Sequence, residues 1–290
     1  MTVPLDRPSR TEAEFREALA AFRAQARAGV FATAHYRMRY FVWGSGSPLV
    51  FIHGMSDSAR AFALVMHPLA AKFTCIAYEL PDGKTDGSRL VPYRYNDYVE
   101  DLLELLDYLG HPQAALVGSS FGTTIALAAL ARHGNRFSHA ILQGGFAYRP
   151  LSTPQRILCH LARYWPGWFA DWPGLYRRII RKVEQPTSSI LSPEVMEFLL
   201  QNGGRTPIRT AALRSIAIDR VDLRPLLPTI ATPILLLGGG RDPLVPRTCE
   251  DVLEKGLPNA KRVIFPNCGH YPHYTHPARM AAEIEVFLRQ

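Results

Sequence analysis

Residues Ala114 to Arg132 run AALVGSSFGTTIALAALAR: an apolar run ending at Val117, a glycine-pinched turn, and a second apolar run of helical length. Gly118-Ser119-Ser120-Phe121-Gly122 fits G-x-S-x-G, in which a serine sits on a sharp, strained turn between strand and helix. Glycines two positions to either side of Ser120 remove the Cβ atoms that would collide in so tight a turn. A helix beginning at Phe121 points its positive dipole end at the place where an oxyanion would form. Ser119 has Val117 and Phe121 at the same offsets and is the poorer candidate. A pattern with three fixed positions recurs by chance, and an ordinary turn serine is the competing reading.

The flanking sequence repeats the strand-then-helix rhythm. Glu12 to Ala28 has the spacing of an amphipathic helix, Thr33 to Trp43 suggests a first strand or hairpin arm, and Pro48 to Ile52 is a short apolar strand. Ala59 to Lys72 fits a helix, Phe73 to Tyr78 a strand, and Tyr95 to Leu109 a helix leading into the strand before Ser120. Ser138 to Leu142, Pro233 to Leu237 and Arg262 to Phe265 supply further strands, and Pro277 to Leu288 a closing helix. Strand and helix in alternation predict an α/β fold: a mostly parallel sheet flanked by helices on both faces. Between Phe146 and Asp222 the rhythm breaks. Seven prolines from Pro150 to Pro207 punctuate short helical pieces, and Trp165, Trp168 and Trp172 crowd together, which predicts an inserted helical cap. The expected division is therefore 1–145 for the first part of the core with its N-terminal helix, 146–222 for the cap, and 223–290 for the rest of the core.

Composition narrows the class. With 290 residues, 47% hydrophobic and 20% charged, the chain can build one substantial core plus an inserted module. No apolar run reaches a membrane span, and the opening MTVPLDRPSRTEAEF has no apolar signal stretch, so a cytoplasmic protein is expected. The four cysteines are scattered without C-x-x-C spacing, which favours free thiols over disulfides or a metal site. The net charge of +8 is concentrated: residues 147–224 hold twelve basic and six acidic side chains. No nucleic-acid module accompanies them, so nucleic acid is not an expected partner. The excess reads first as a solvated basic face, and second as attraction for anionic substrates or lipid head groups.

Three further motifs surround Ser120. His53-Gly54-Met55 follows an apolar strand, and a glycine there lets the chain turn so that the Met55 amide joins the Phe121 amide in an oxyanion hole. Gly240-Arg241-Asp242-Pro243-Leu244-Val245-Pro246 puts Asp242 just past one strand, and Gly269-His270 puts a histidine just past the last. A serine hydroxyl needs an adjacent base, an imidazole titrating near neutrality can take and return the proton, and a buried carboxylate fixes the tautomer. Ser120, His270 and Asp242 are the candidates for those roles. Rivals are His273 and His276 for the base, and Glu79 and Asp82 for the acid. His273 reads rather as a pocket wall or a satisfied surface histidine, and His53, Gly54, Ser119, Trp165 and Trp168 are the other candidate substrate contacts.

With these four motifs in the order Ser, acid, His, the chain from Thr33 to Gln290 resembles an α/β-hydrolase with a helical cap. The resemblance implies that Ser120 is the nucleophile, Asp242 the acid and His270 the base, with no cofactor or metal. It departs at Met55-Ser56-Asp57, where many relatives carry proline or an aromatic, and in the long polar loop from Glu79 to Ser88. The expected activity is hydrolysis of a small-molecule ester, with the tryptophans favouring an apolar acyl group. Gly269 to Pro277 is similar to enzymes that hydrolyse a carbon-carbon bond in ring-cleavage products, and a perhydrolase or acyltransferase uses the same residues. A ligand-binding pseudo-hydrolase is the non-enzyme alternative. Dehalogenases and epoxide hydrolases of this fold carry aspartate at the elbow, which Ser120 argues against.

Overall fold

Leu49 and Phe51 enter one apolar cluster and Val50 and Ile52 another, so the strand they form, β3 (Ser47–Ile52), is buried on both faces. β5 (Ala114–Ser119) divides likewise, with Ala115 and Val117 on one side and Ala114 and Leu116 on the other. These strands sit inside an eight-stranded sheet with β1 (Arg27–Ala32), β2 (Arg37–Trp43), β4 (Phe73–Tyr78), β6 (Phe137–Gln143), β7 (Ile234–Gly239) and β8 (Ala260–Phe265). The order is β1-β2-β4-β3-β5-β6-β7-β8; β1 and β2 run antiparallel to their neighbours and the rest are parallel. The computed structural model describes residues 12–91, 93–183 and 191–289. The N-terminal residues 1–11 and, within the expected cap, Glu184 and Pro186 lie outside the described residues.

Each central strand is followed by a helix that crosses to the next. One face is covered by α1 (Glu12–Gln25), α2 (Ala63–Leu69) and α10 (Pro277–Leu288), which contribute Phe22, Met66 and Ile284 to one cluster. The other is covered by α3 (Tyr95–Tyr108), α4 (Phe121–His133) and α9 (Arg247–Gly256), through Leu102, Ile125 and Leu253. From β3 the chain moves outward to β4, then returns past β3 to β5. The carboxyl ends of β3 and β5 therefore flank a topological switch point, where open α/β sheets bind ligands. His53 follows the first of these strands and Ser120 the second.

Between β6 and β7 lie α5 (Thr153–Ala162), α6 (Pro173–Val183), α7 (Pro193–Gly204) and α8 (Ile208–Arg220), as the proline-broken sequence predicts.

Two elements differ from the sequence reading. The first helix was expected to run to Ala28 but ends at Gln25, because Arg27–Ala32 pairs with β2, Ala28 facing Phe41. β1 lies at the sheet edge with no residue fully buried, so RAGVFA carries little of the apolar alternation that marks a strand. Helix α9, RTCEDVLEKG, was not anticipated; it buries only Glu250 and Leu253.

Candidate active site

Ser120 stands between β5 and α4 with φ 51° and ψ −113°, and is the one non-glycine residue with positive φ among the described residues. Such a conformation costs about 1 to 3 kcal/mol and persists only where the surroundings over-determine it. The glycines supply that constraint. A Cβ on Gly122 would lie 2.2 Å from the Ile52 carbonyl oxygen, and one on Gly118 would lie 2.8 Å from that of Gly122. The turn is thus pressed against the end of β3, and no side chain larger than hydrogen fits at either position.

Gln143, at the end of β6 and fully buried, ties the elbow to the candidate base. Its carbonyl accepts the Ser120 amide at 2.8 Å, its Oε1 accepts the Ser119 hydroxyl at 2.6 Å, and its Nε2 donates to the His270 carbonyl at 2.9 Å. His270 Nδ1 is 2.6 Å from Asp242 Oδ2, and both side chains are buried. Asp242 Oδ1 accepts the amides of Leu244 and Val245 at 2.8 and 3.0 Å. Burial works against an Asp242 anion, but the His270 ring and the two amides outweigh it and hold the carboxyl below its ordinary range. An ionised Asp242 accepts the Nδ1 proton and leaves Nε2 as the basic nitrogen. Gly144, with φ 56°, backs the ring: a Cβ there would sit 3.0 Å from His270 Cε1.

His53, fully buried, determines how the Met55 amide is presented. The Leu80 amide donates to His53 Nε2 at 3.0 Å, so the ring is neutral with its proton on Nδ1, which donates to the Gly54 carbonyl at 2.8 Å. Burial first, and the Arg214 charge second, push the His53 pKa down to about 4. The Gly54 carbonyl and the Met55 amide belong to one planar peptide and point opposite ways, so fixing the first aims the second. The Met55 carbonyl is held from α8, where buried Arg214 donates to it at 2.5 Å and to the Pro81 carbonyl at 3.0 Å. Phe121 is the first residue of α4, where an amide has no acceptor within the helix.

The other expected contacts separate. Gly54 packs on Ser120, an added Cβ lying 3.6 Å from that of the serine. A cavity of about 860 Å³ opens beside the site, lined by His53, Asp57, Leu80, Trp168, Tyr176 and Arg214 among others; Ser120 and His270 are not on its wall. Lys84 Nζ lies 3.2 Å over the Trp168 ring. Trp165 is half exposed and packs on Trp172 instead, outside this lining. His273 is fully buried and bonds Asp57 through Nε2 at 3.2 Å, so it braces the loop after Met55 rather than walling the cavity. His276 bonds the Thr275 hydroxyl at 2.9 Å. Glu79 lies 3.6 Å from His53 Nε2, and Asp82 accepts the Lys84 and Thr85 amides of its own loop.

Gln143 and Arg214 are not singled out by the sequence, and Asp57 enters there only within the departure at Met55-Ser56-Asp57. For Gln143 a signal existed: an amide closing a strand buried on both faces needs polar partners. Away from the elbow, His35, Asp97 and Glu100 bring ligand atoms within 4.8 Å of one another at the start of α3, a spacing able to take a cation.

Glu250 leads to a prediction. Its carboxyl is packed against Gly238 without a hydrogen-bond partner among the described residues, and burial, then the nearby Asp242 charge, raise its pKa to about 7 from 4.5. The folded state therefore binds this proton more tightly than the unfolded chain, and the stability Glu250 contributes when protonated is lost as pH rises from about 4.5 through 7. Glu250→Gln, which keeps the shape without the charge, is expected to raise Tm at pH 8 and leave it near the parent value at pH 5. Equal shifts at both pH values would show that the carboxyl is not held protonated.

Residues 49–283 match the sequence profile of the alpha/beta hydrolase family. The chain belongs to that family. This hydrolase is 26% identical to a 2-hydroxymuconate semialdehyde hydrolase from Pseudomonas putida, over 89% of this chain and 92% of the relative. It is also 26% identical to a pimeloyl-[acyl-carrier protein] methyl ester esterase from Edwardsiella ictaluri, over 82% and 92%. Among solved structures, a hydrolase from Pseudomonas aeruginosa superposes with a TM-score of 0.81 at 18% identity, covering 91% of this chain and 99% of its own. Among the described residues no helix of the hydrolase is long and apolar enough to cross a membrane.

Proposed function

We propose that the chain is a serine hydrolase that cleaves a carboxylic ester through an acyl-enzyme. Ser120 attacks the carbonyl carbon, His270 takes the hydroxyl proton and passes it to the leaving alkoxide, and Asp242 holds the imidazole in the required tautomer. The Met55 and Phe121 amides stabilise the oxyanion, and water then releases the acid by the same steps. The observation that carries the reading is a strained serine joined through Gln143 to a histidine whose Nδ1 is 2.6 Å from a buried carboxylate. None of these steps calls on a metal or cofactor. The similarity to the Pseudomonas putida relative supports a second reading, hydrolysis of a carbon-carbon bond in a ring-cleavage product. Turnover of p-nitrophenyl esters measured beside a vinylogous diketone separates the two. Ester turnover with an inert diketone favours the first and the reverse favours the second. Inertness to both, without labelling by a fluorophosphonate, removes both in favour of a binding protein.

Residues 146–222 act in this reading as a cap that shapes the substrate pocket. Its helices reach the core loops through Arg214 on Met55 and Pro81, Thr210 on the Asp82 carbonyl, and Asn202 on Ser58 and Tyr274. Trp168, Leu80 and Tyr176 give the cavity an apolar wall, while Arg37, Arg39 and Glu79 make another part of it polar. A p-nitrophenyl hexanoate is accordingly expected to exceed the acetate in kcat/KM by about tenfold, the gain from burying about two of the four methylenes it adds. Trp168→Ala should narrow that ratio. An unchanged ratio in the folded variant would take Trp168 out of the acyl pocket.

A further inference from the structure

Helix α5 carries its apolar residues on the wrong side for a core helix. Ile157, Leu158 and Leu161 fall within one arc at 100° per residue, Tyr164 and Trp165 follow in the turn just past the end of the helix, and all five are exposed, Leu158 by 65%, Leu161 by 68% and Tyr164 by 73%. The opposite side of the helix, with Cys159 and Ala162 half-buried, packs on α8. Helix α6 has two apolar stripes. Tyr176, Ile180 and Val183 are buried, while Trp172, Leu175 and Ile179 form a second stripe that is exposed. The ring of Trp165 meets that of Trp172 at 6.2 Å between centroids, so the two exposed stripes join into one surface. Of the fourteen exposed large apolar side chains among the described residues, eight lie between 157 and 179; the other six are scattered singly. Scattered exposure is ordinary, but a contiguous patch marks a surface that another phase or molecule covers.

The charges beside the patch say what covers it. On α6, Arg178 and Lys182 border the exposed stripe and Arg181 stands beyond them; all three are exposed and make no ion pair among the described residues. By contrast Arg156 and Arg177 are neutralised by Asp219 and Glu197. An apolar face set with tyrosine and tryptophan and edged by cations that have no ion pair among the described residues matches the boundary of an anionic bilayer, where rings sit at headgroup depth and cations meet phosphate. A second copy of the chain fits worse, because pairing the patch with itself brings the same cations together. We infer that the outer face of α5 and α6 is a docking surface for anionic lipid membranes, seating the protein at the bilayer without a spanning segment. Trp168, in the connection between these helices, lines the cavity, so the docked face and the cavity wall share one stretch of chain.

The inference is independent of which bond the site cleaves and is tested by binding alone. Cosedimentation with phosphatidylcholine vesicles containing about one third phosphatidylglycerol should show binding that weakens at about 0.5 M salt, and much less binding to phosphatidylcholine alone. Leu158→Ser with Leu161→Ser should lower the partition coefficient at least about tenfold, as should Arg178→Ser with Lys182→Ser, with soluble-ester turnover and Tm near the parent values. No binding to the anionic vesicles overturns the inference. So does binding indifferent to the leucine pair, which would be charge attraction without insertion. A vesicle-free dimer that the leucine pair dissociates would assign the face to a second copy and overturn it as well.

Discussion

Ser120→Ala is expected to lower kcat by roughly 10⁴-fold or more, because it removes the proposed nucleophile and with it the covalent route. The remaining activity would come from the oxyanion donors and from binding, which in other triads retain about 10³-fold over water. The fold should survive. Alanine has the same Cβ as serine, so the cost of holding φ at 51° is unchanged, and the Gln143 carbonyl still receives the residue-120 amide. Ser119→Ala is the control. It deletes a buried hydroxyl that, among the described residues, donates to Gln143 Oε1, a loss of about 1 to 3 kcal/mol in stability rather than in chemistry. Burst titration with a p-nitrophenyl ester, with Tm recorded for both variants, reads the difference. Severe loss in Ser119→Ala with a mild effect in Ser120→Ala would move the nucleophile to the neighbouring serine.

What could be read in advance follows from how local the signal is. The elbow was legible because tight backbone contact demands glycine at both Gly118 and Gly122, and the approach of Gly122 to Ile52 is that demand in space. Asp242 and His270 were legible because each follows a strand whose apolar run stops abruptly, and their 2.6 Å contact needs no information beyond strand order. Arg214 was hidden for the opposite reason. It is one of twelve basic residues in its segment, and what sets it apart is that its two carbonyl acceptors, Met55 and Pro81, are more than a hundred residues away. The sequence offers His273 as a pocket wall or a satisfied surface histidine and cannot show that it is buried on Asp57, because that partner is also more than a hundred residues away. Edge strand β1 escaped because a strand exposed on its outer side needs no apolar alternation. Exposure of α5 is likewise a property of packing: its apolar arc looks the same in sequence whether it faces a core or solvent.

Asp242→Asn should cost kcat about 10⁴-fold at neutral pH while changing Tm and KM far less. The geometry says which way the amide must turn. Oδ1 accepts two backbone amides, from Leu244 and Val245, and only the carbonyl oxygen of asparagine can replace it there. The NH₂ group is then forced into the position of Oδ2, against His270 Nδ1. A donor at that place requires Nδ1 to be the lone-pair nitrogen, which puts the ring proton on Nε2 and removes the base on the side that must take the serine proton. Flipping the amide to restore the tautomer would oppose two backbone N–H donors with an NH₂ group in a buried site, so the wrong tautomer prevails. Glu250→Gln, assayed at pH 8 where the Glu250 carboxyl is ionised, neutralises the other carboxyl near Asp242 without touching His270 and should leave kcat within a few-fold of the parent, separating loss of the tautomer from loss of local negative charge. Near-parent turnover in Asp242→Asn would strip the acid role from Asp242, and Glu79 would be the next carboxylate to replace, although its nearest imidazole is that of His53 at 3.6 Å.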